Sequence, residues 1–349
     1  MLHALIVVLP LPLALFGCGP RTPTEPAPAS PSEAPARPPE PGLLPGVAVL
    51  TTPPMTGPIL LHASESALIA FDTATGASVV LDPTAGSYSR GVGGRNGEAW
   101  VKANDGALRI RRDGDHLQVD RFSGDFRAVS DDGKRVFLVC PSGSGMCVAT
   151  VDGMALLNPK YVETGLEMPT VVAFPRADLL VVYDFSGDMV VNAGDPAVDV
   201  EFRRIARAKK ADNGAFMSAD GAAVGWLESV DDTHGRLTWA PVVEGGTAPA
   251  SMVIETAYAS NCVTAVGATL CTRKLEDGMR IVALDPSTGK LTELATDALL
   301  PDPVPSPDGK QIAYAAEEGG KNHVFLVPIT GGARTSVASG DVWAVAWVK

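Results

Sequence analysis

The chain has 349 residues, of which 46% are hydrophobic, 19% charged and 6% aromatic, and its formal net charge is −12. That apolar share suffices for a large folded domain and excludes a wholly disordered chain. An acidic surface repels phosphate backbones, so nucleic acid is not an expected partner.

Leu2 to Phe16 is nearly continuous apolar sequence, interrupted by Pro10 and Pro12. It is too short to span a bilayer and has the length of a signal-peptide core. It ends in Leu15-Phe16-Gly17-Cys18, which resembles a bacterial lipobox, where a small residue precedes a cysteine that becomes diacylated. The resemblance implies that residues 1–17 are a lipoprotein-type signal peptide and that Cys18 carries the lipid. An ordinary secretory signal with an incidental cysteine is the alternative.

Residues 18–46 are then the lipidated cysteine and a disordered tether. Ten prolines fall among residues 19–46, mixed with Ala, Glu, Ser and Thr. Such a segment has little apolar surface to bury and favours extended polyproline II. At ~3.1 Å per residue it reaches about 87 Å.

The folded head occupies residues 47–349, with its first strand expected near Pro58. Ile59-Leu60-Leu61-His62, Ala67 to Asp72 and Ala77 to Leu81 read as three strands. Asp72-Thr73-Ala74-Thr75-Gly76 is the turn between the last two, and Asp285-Pro286-Ser287-Thr288-Gly289 repeats the device.

The stretch Ser306-Pro307-Asp308-Gly309-Lys310 opens an alternating strand, Gln311 to Tyr314. Asp-Gly between apolar runs is a strong hairpin signal, with Gly309 supplying a positive φ. Ser130-Asp131-Asp132-Gly133-Lys134 is a close copy, and Ser218-Ala219-Asp220-Gly221 a looser one. Asp132, Asp220 and Asp308 are spaced 88 residues apart, or twice 44. A degenerate copy falls midway, at Phe174 to Asp178, and weaker ones at Arg95 to Val101 and Ala265 to Cys271. A period of roughly 40–45 residues holding four short strands is the signature of a β-propeller blade.

These turns resemble the S-P-D-G-[KR] repeats of the TolB-like, WD-repeat-like propeller family. The likeness is full at 306–314, good at 130–137 and partial at 218–226. It implies an all-β propeller and favours protein partners in the bacterial envelope.

The C-terminal stretch Val342-Trp343-Ala344-Val345-Ala346-Trp347-Val348 is an alternating strand with no blade after it. The N-terminal blade lacks its first strand. A ring closed by lending this strand to the first blade accounts for both, and removes an open edge. Trp343 and Trp347 are expected on one side of it, locking the closure. The remaining blades are expected at 86–121, 125–160, 169–205, 214–256, 258–297 and 302–338. That makes seven four-stranded blades, with six or eight open because the second and fourth are degenerate. The basic run Arg203 to Lys210 is expected as a solvated loop between the fourth and fifth.

Four cysteines remain after Cys18. Cys262 and Cys271 flank a hairpin centred on Val266-Gly267; a two-residue turn sets them opposite each other on a non-hydrogen-bonded position. Cys140 and Cys147 flank Pro141 to Met146, and a four-residue loop brings them into register. An even count in an exported chain predicts two disulfides.

No catalytic residue is assigned. The chain has no G-x-S-x-G, no H-E-x-x-H and no phosphate-cradling Gly-Lys loop. Asp113-Gly114-Asp115-His116 and Asp231-Asp232-Thr233-His234 sit at hairpin turns, where Asp and Gly serve the backbone. No metal and no cofactor is expected. The reading is a monomeric envelope lipoprotein, on the periplasmic face of the outer membrane or the cell surface, acting as a protein–protein scaffold. The alternatives are a propeller hydrolase or lyase acting on envelope glycan or peptide, and a small-ligand sensor.

Overall fold

In the computed structural model the described residues are 48–49, 52–64, 67–83, 91–93, 97–104, 106–143, 145–153, 155–166, 170–183, 188–193, 202–207, 215–218, 221–231, 234–254, 259–265, 268–275, 278–299 and 303–348. Cys18, the signal segment and the tether lie outside them, as does Asp220.

Every regular element among these residues is a strand, as the period-two alternation and frequent turn residues require. The first sheet runs Val342–Val348, Ile59–Ser64, Leu68–Asp72, Ser78–Asp82. The C-terminal strand therefore supplies the missing first strand of the N-terminal sheet. The second is Gly91–Gly93, Glu98–Ala103, Gly106–Asp113, His116–Ser123; the third is Phe126–Val129, Arg135–Val139, Met146–Asp152, Ala155–Val162. The fourth is Thr170–Arg176, Leu179–Tyr183, Asp188–Ala193, Arg203–Arg207, and the fifth Ala215–Met217, Ala223–Ser229, Gly235–Pro241, Met252–Ile254.

The last sheet has two meanders. One is Ala259–Ala265, Ala268–Leu275, Gly278–Leu284, Leu291–Ala298; the other is Gln311–Glu318, Lys321–Pro328, Thr335–Ser339, with Val304–Pro305 paired to its first long strand. A single register pair, Ala298 with Ala316, joins them. All pairings are antiparallel, and the strand limits fall within a few residues of the spacing read from the repeats.

The core lies between these meanders. Among the described residues seven apolar clusters each draw on two neighbours. Ile59, Leu61 and Ile110 join the first sheet to the second, and Trp100, Phe122 and Phe126 the second to the third. Phe137 and Leu180 join the third and fourth, Val181 and Trp226 the fourth and fifth, Phe216 and Val282 the fifth and sixth meander. Leu270 and Tyr314 join the sixth and seventh, and Leu60, Trp347 and Leu326 return from the seventh to the first.

Three expectations are corrected. Trp343 and Trp347 face opposite ways. The register with Ile59–Ser64 slips between Leu61 and His62, leaving Val345 as an extra residue. One extra residue reverses the alternation. Trp347 joins the cluster with Ala313 and Leu326, while Trp343 packs on the cluster with Ile59 and Leu108. The basic run is not wholly a loop, because Arg203–Arg207 is the outer strand of the fourth sheet. The head also begins before Pro58. Ala48–Val49 pairs as a fifth strand outside His116–Ser123, with Ala48 opposite Val119 and Val49 opposite Gln118.

Candidate functional site

The repeat turns connect the first and second strand of their sheets, and the three copies share a backbone hydrogen-bond pair and a backbone N–H donated to the serine hydroxyl. In the third sheet, Ser130 N donates to Arg135 O (2.9 Å) and Gly133 N to Ser130 O (2.8 Å). Ser130 Oγ donates to Asp132 Oδ1 (2.6 Å) and accepts from Arg135 N (2.9 Å). In the last meander Ser306 Oγ donates to Asp308 Oδ1 (2.6 Å) and Gln311 N to Ser306 Oγ (3.0 Å). At Ser218 the backbone pair and the Ala223 N to Ser218 Oγ bond (2.9 Å) recur. Gly133, Gly221 and Gly309 have φ of 70°, 70° and 68°, the left-handed geometry that fits glycine.

The Asp132 turn also reaches its neighbour. Asp131 N donates to Phe174 O (2.8 Å), and Ala177 N to Asp132 Oδ2 (3.4 Å). The carboxylates are spent on backbone work. Burial pushes the Asp132 carboxyl up, but Ser130, Lys134 N and Ala177 N outweigh it and hold it below the usual range. Asp308 is held low chiefly by Ser306.

Asp72 and Asp285 show the same device between third and fourth strands. Asp285 accepts from Ser287 Oγ (2.6 Å), Ser287 N (2.8 Å) and Thr288 Oγ1 (2.8 Å), which lowers its carboxyl to about 2. Asp72 is fully buried. Its Oδ1 accepts from Ala74 N (2.8 Å) and Thr75 N (3.1 Å), and its Oδ2 from Thr56 N (2.7 Å) and Gly57 N (3.1 Å). Burial pushes this carboxyl up, and the four N–H donors more than offset it. Asp72 thereby pins the segment that leads in from Ala48. Met55, fully buried, and His116 Nδ1, 3.1 Å from Thr52 O, pin its other end to the second sheet.

Sequence reasoning missed a buried ion pair. Arg109 Nε and Nη2 donate to Asp120 Oδ2 (2.9 and 2.6 Å), and Nη2 also reaches Gly153 O of the third sheet (2.5 Å). The guanidinium lies 5.6 Å from the Trp100 ring centroid and 5.3 Å from that of Phe122. Arg111 adds a second cation, 3.2 Å from Asp120. A buried pair of this kind is costly to break from one side. The local signal was only an Arg and an Asp on alternating strands; the pairing of Arg109 with Asp120 is set by the hairpin register.

Both predicted disulfides are present. Cys262 and Cys271 are bridged at a Cα separation of 4.1 Å, with the tip register as expected, Ala265 opposite Ala268. Cys140 and Cys147 are bridged at 4.9 Å, but not as direct opposites. Leu138 faces Cys147, and Cys140 N donates to Gly145 O, so the bridge runs diagonally. The paired Asp and His at 231 and 234 form a turn, with His234 N donating to Asp231 Oδ1 (2.8 Å). Among the described residues no group of three or more His, Cys, Asp or Glu side chains is placed to hold a metal ion.

No protein-family model matches the sequence, and no curated protein is significantly similar to it. Solved structures are similar in fold. A quinoprotein alcohol dehydrogenase-like protein from Bacteroides thetaiotaomicron superposes with a TM-score of 0.54 at 9% identity, over 84% of this chain and 78% of that one. A 6-phosphogluconolactonase candidate from Bacteroides fragilis gives 0.51 at 15% identity, over 83% and 97%. TolB from Acinetobacter baumannii gives 0.48 at 12% identity, over 85% and 67%, too low a score to add weight. Likeness at these identities extends to the all-β propeller fold and no further.

Proposed function

We propose that this chain is a seven-bladed propeller, closed by its C-terminal strand and held at a bacterial envelope membrane by lipid on Cys18, where it serves as a protein–protein interaction scaffold. The cyclic set of seven apolar clusters supports the closed ring. The scaffold reading rests on one observation. The aspartates at 72, 132, 285 and 308 are each held by hydrogen bonds within or beside their turns. Their carboxylates are thereby occupied, and the turns are preformed. A preformed surface loses little entropy when a partner docks. The proline-rich segment keeps such a surface away from the membrane while limiting its reach.

The test is crosslinking in intact envelopes, followed by pull-down and mass spectrometry, with Cys18→Ser as control. A specific partner that is lost in the control supports the tethered scaffold. An equal yield from the control removes the anchor from the reading, and no partner above background removes the scaffold.

A further inference from the structure

His62 occupies the seam where the two ends of the folded chain meet. It lies in Ile59–Ser64, opposite Ala344 of the C-terminal strand and Ile69 of the third strand. The slip that leaves Val345 unpaired falls directly beside it. The side chain is 4% exposed, and Nδ1 has no hydrogen-bond partner among the described residues. Leu60, two residues earlier, points into the cluster with Ala313, Leu326 and Trp347. Alternation turns His62 to that same side. A titratable ring thus sits in an apolar joint, next to an irregularity in the strand that closes the fold.

The charged groups on the elements around it do not offer compensation. Ile59–Ser64 and Val342–Val348 carry none. Asp72, at the far end of Leu68–Asp72, is taken up by four backbone donors, and Asp82 of the outer strand pairs with Arg121. On the last meander, Gln311–Glu318 carries Glu317 and Glu318, both exposed at its end, and Lys321–Pro328 carries Lys321 and His323. His323 is stacked on Phe325 and bonded to Ser336 Oγ (2.9 Å), and Glu318 pairs with Arg334.

We propose that His62 makes the closure an acid-sensitive latch: protonation places an unpaired cation in the joint, and the C-terminal strand separates from Ile59–Ser64. The imidazole gains one proton from solvent and no covalent bond changes. Burial already holds this ring at about 4, against 6.5 for a free histidine, which agrees with the placement. The proposal depends on the pairing of Val342–Val348 with Ile59–Ser64 and not on the scaffold role.

Amide hydrogen exchange tests it on the full chain, followed in Val342–Val348 at pH 7.5 and pH 5 and corrected for intrinsic rates. Linkage between a folded value near 4 and an open value of 6.5 predicts that the opening equilibrium rises about thirtyfold. In His62→Leu the rise disappears while exchange elsewhere is unchanged. An equal rise in the variant, or no rise in the wild type, overturns the latch. If His62→Leu does not fold, His62→Gln and the NMR titration of the wild-type ring decide. A ring titrating near 6.5 in the folded protein overturns it as well.

Discussion

Leu60 and Trp347 stand opposite each other across the seam, and both are buried against the last meander. Trp347 Nε1 also donates to Val304 O (3.0 Å), so one side chain ties the C-terminal strand to sheets on both sides of the joint. Removing Val342–Lys349 is expected to abolish the cooperative melting transition. Trp347→Ala should cost about 3–5 kcal/mol in denaturant unfolding. An unchanged transition in the truncated chain would rule out closure by this strand.

Both cysteine pairs are oxidised in the fold, so the intact mass of the soluble head should be four hydrogens below the reduced value. The bridged loops are short, with sequence separations of 7 and 9. Each bridge is expected to contribute about 2.5 kcal/mol on the loop-entropy model. Non-reducing mass spectrometry and the Cys140→Ser and Cys262→Ser variants check the two statements separately.

The repeated turns are equivalent in backbone but not in surroundings, and that difference can be measured. A Cβ on Gly221 meets nothing within 4 Å, whereas one on Gly133 would lie 2.0 Å from Glu98 Oε1. That oxygen accepts from Trp100 Nε1 (2.8 Å), so moving it loses a hydrogen bond. Gly221→Ala should cost about 1 kcal/mol from the left-handed backbone alone. Gly133→Ala should cost roughly 1 kcal/mol more. Equal losses would show that Glu98 moves aside freely.

The turn aspartates fix a second acid transition, below that of His62. Asp72, Asp132, Asp285 and Asp308 all have lowered carboxyl values in the fold. A depressed acid stabilises the fold above its unfolded value, near 3.9, and the benefit is lost as pH falls through the folded value. Unfolding free energy is therefore expected to fall between about pH 4 and 2, the lower limit set by Asp285. Asp72→Asn should weaken that fall. Denaturant titrations across this range in both proteins provide the check, and identical curves would remove Asp72 from the account.

Buried Arg109 predicts an asymmetry. Asp120→Ala strands the guanidinium beside the rings of Trp100 and Phe122 and should cost about 3–5 kcal/mol. Replacing both partners, with Arg109→Met and Asp120→Leu, should cost markedly less. A double variant as unstable as the single one would show that the hydrogen bond to Gly153 O carries the effect.

The blades were legible in the residues alone. Their turns are written in local chemistry: a serine hydroxyl, an aspartate carboxylate and a glycine at positive φ, within five residues of one another. Alternation then fixed the strands beside them, and the unmatched strand at Val342–Val348 pointed to its pairing with the N-terminal sheet. Whatever depends on register and distance emerged only with the assembled fold. The bulge at Val345 turned Trp343 and Trp347 to opposite faces, because one extra residue reverses a period of two. Ala48–Val49 found its place only through pairing with Gln118 and Val119, far along the chain. Arg109 met Asp120 through hairpin register, and Gly153 O through the packing of one sheet on the next. His62 read as an ordinary strand residue until its burial and its place opposite Ala344 of the C-terminal strand were known. Local bonds can be read from neighbours in sequence; burial and partners are properties of the assembled core.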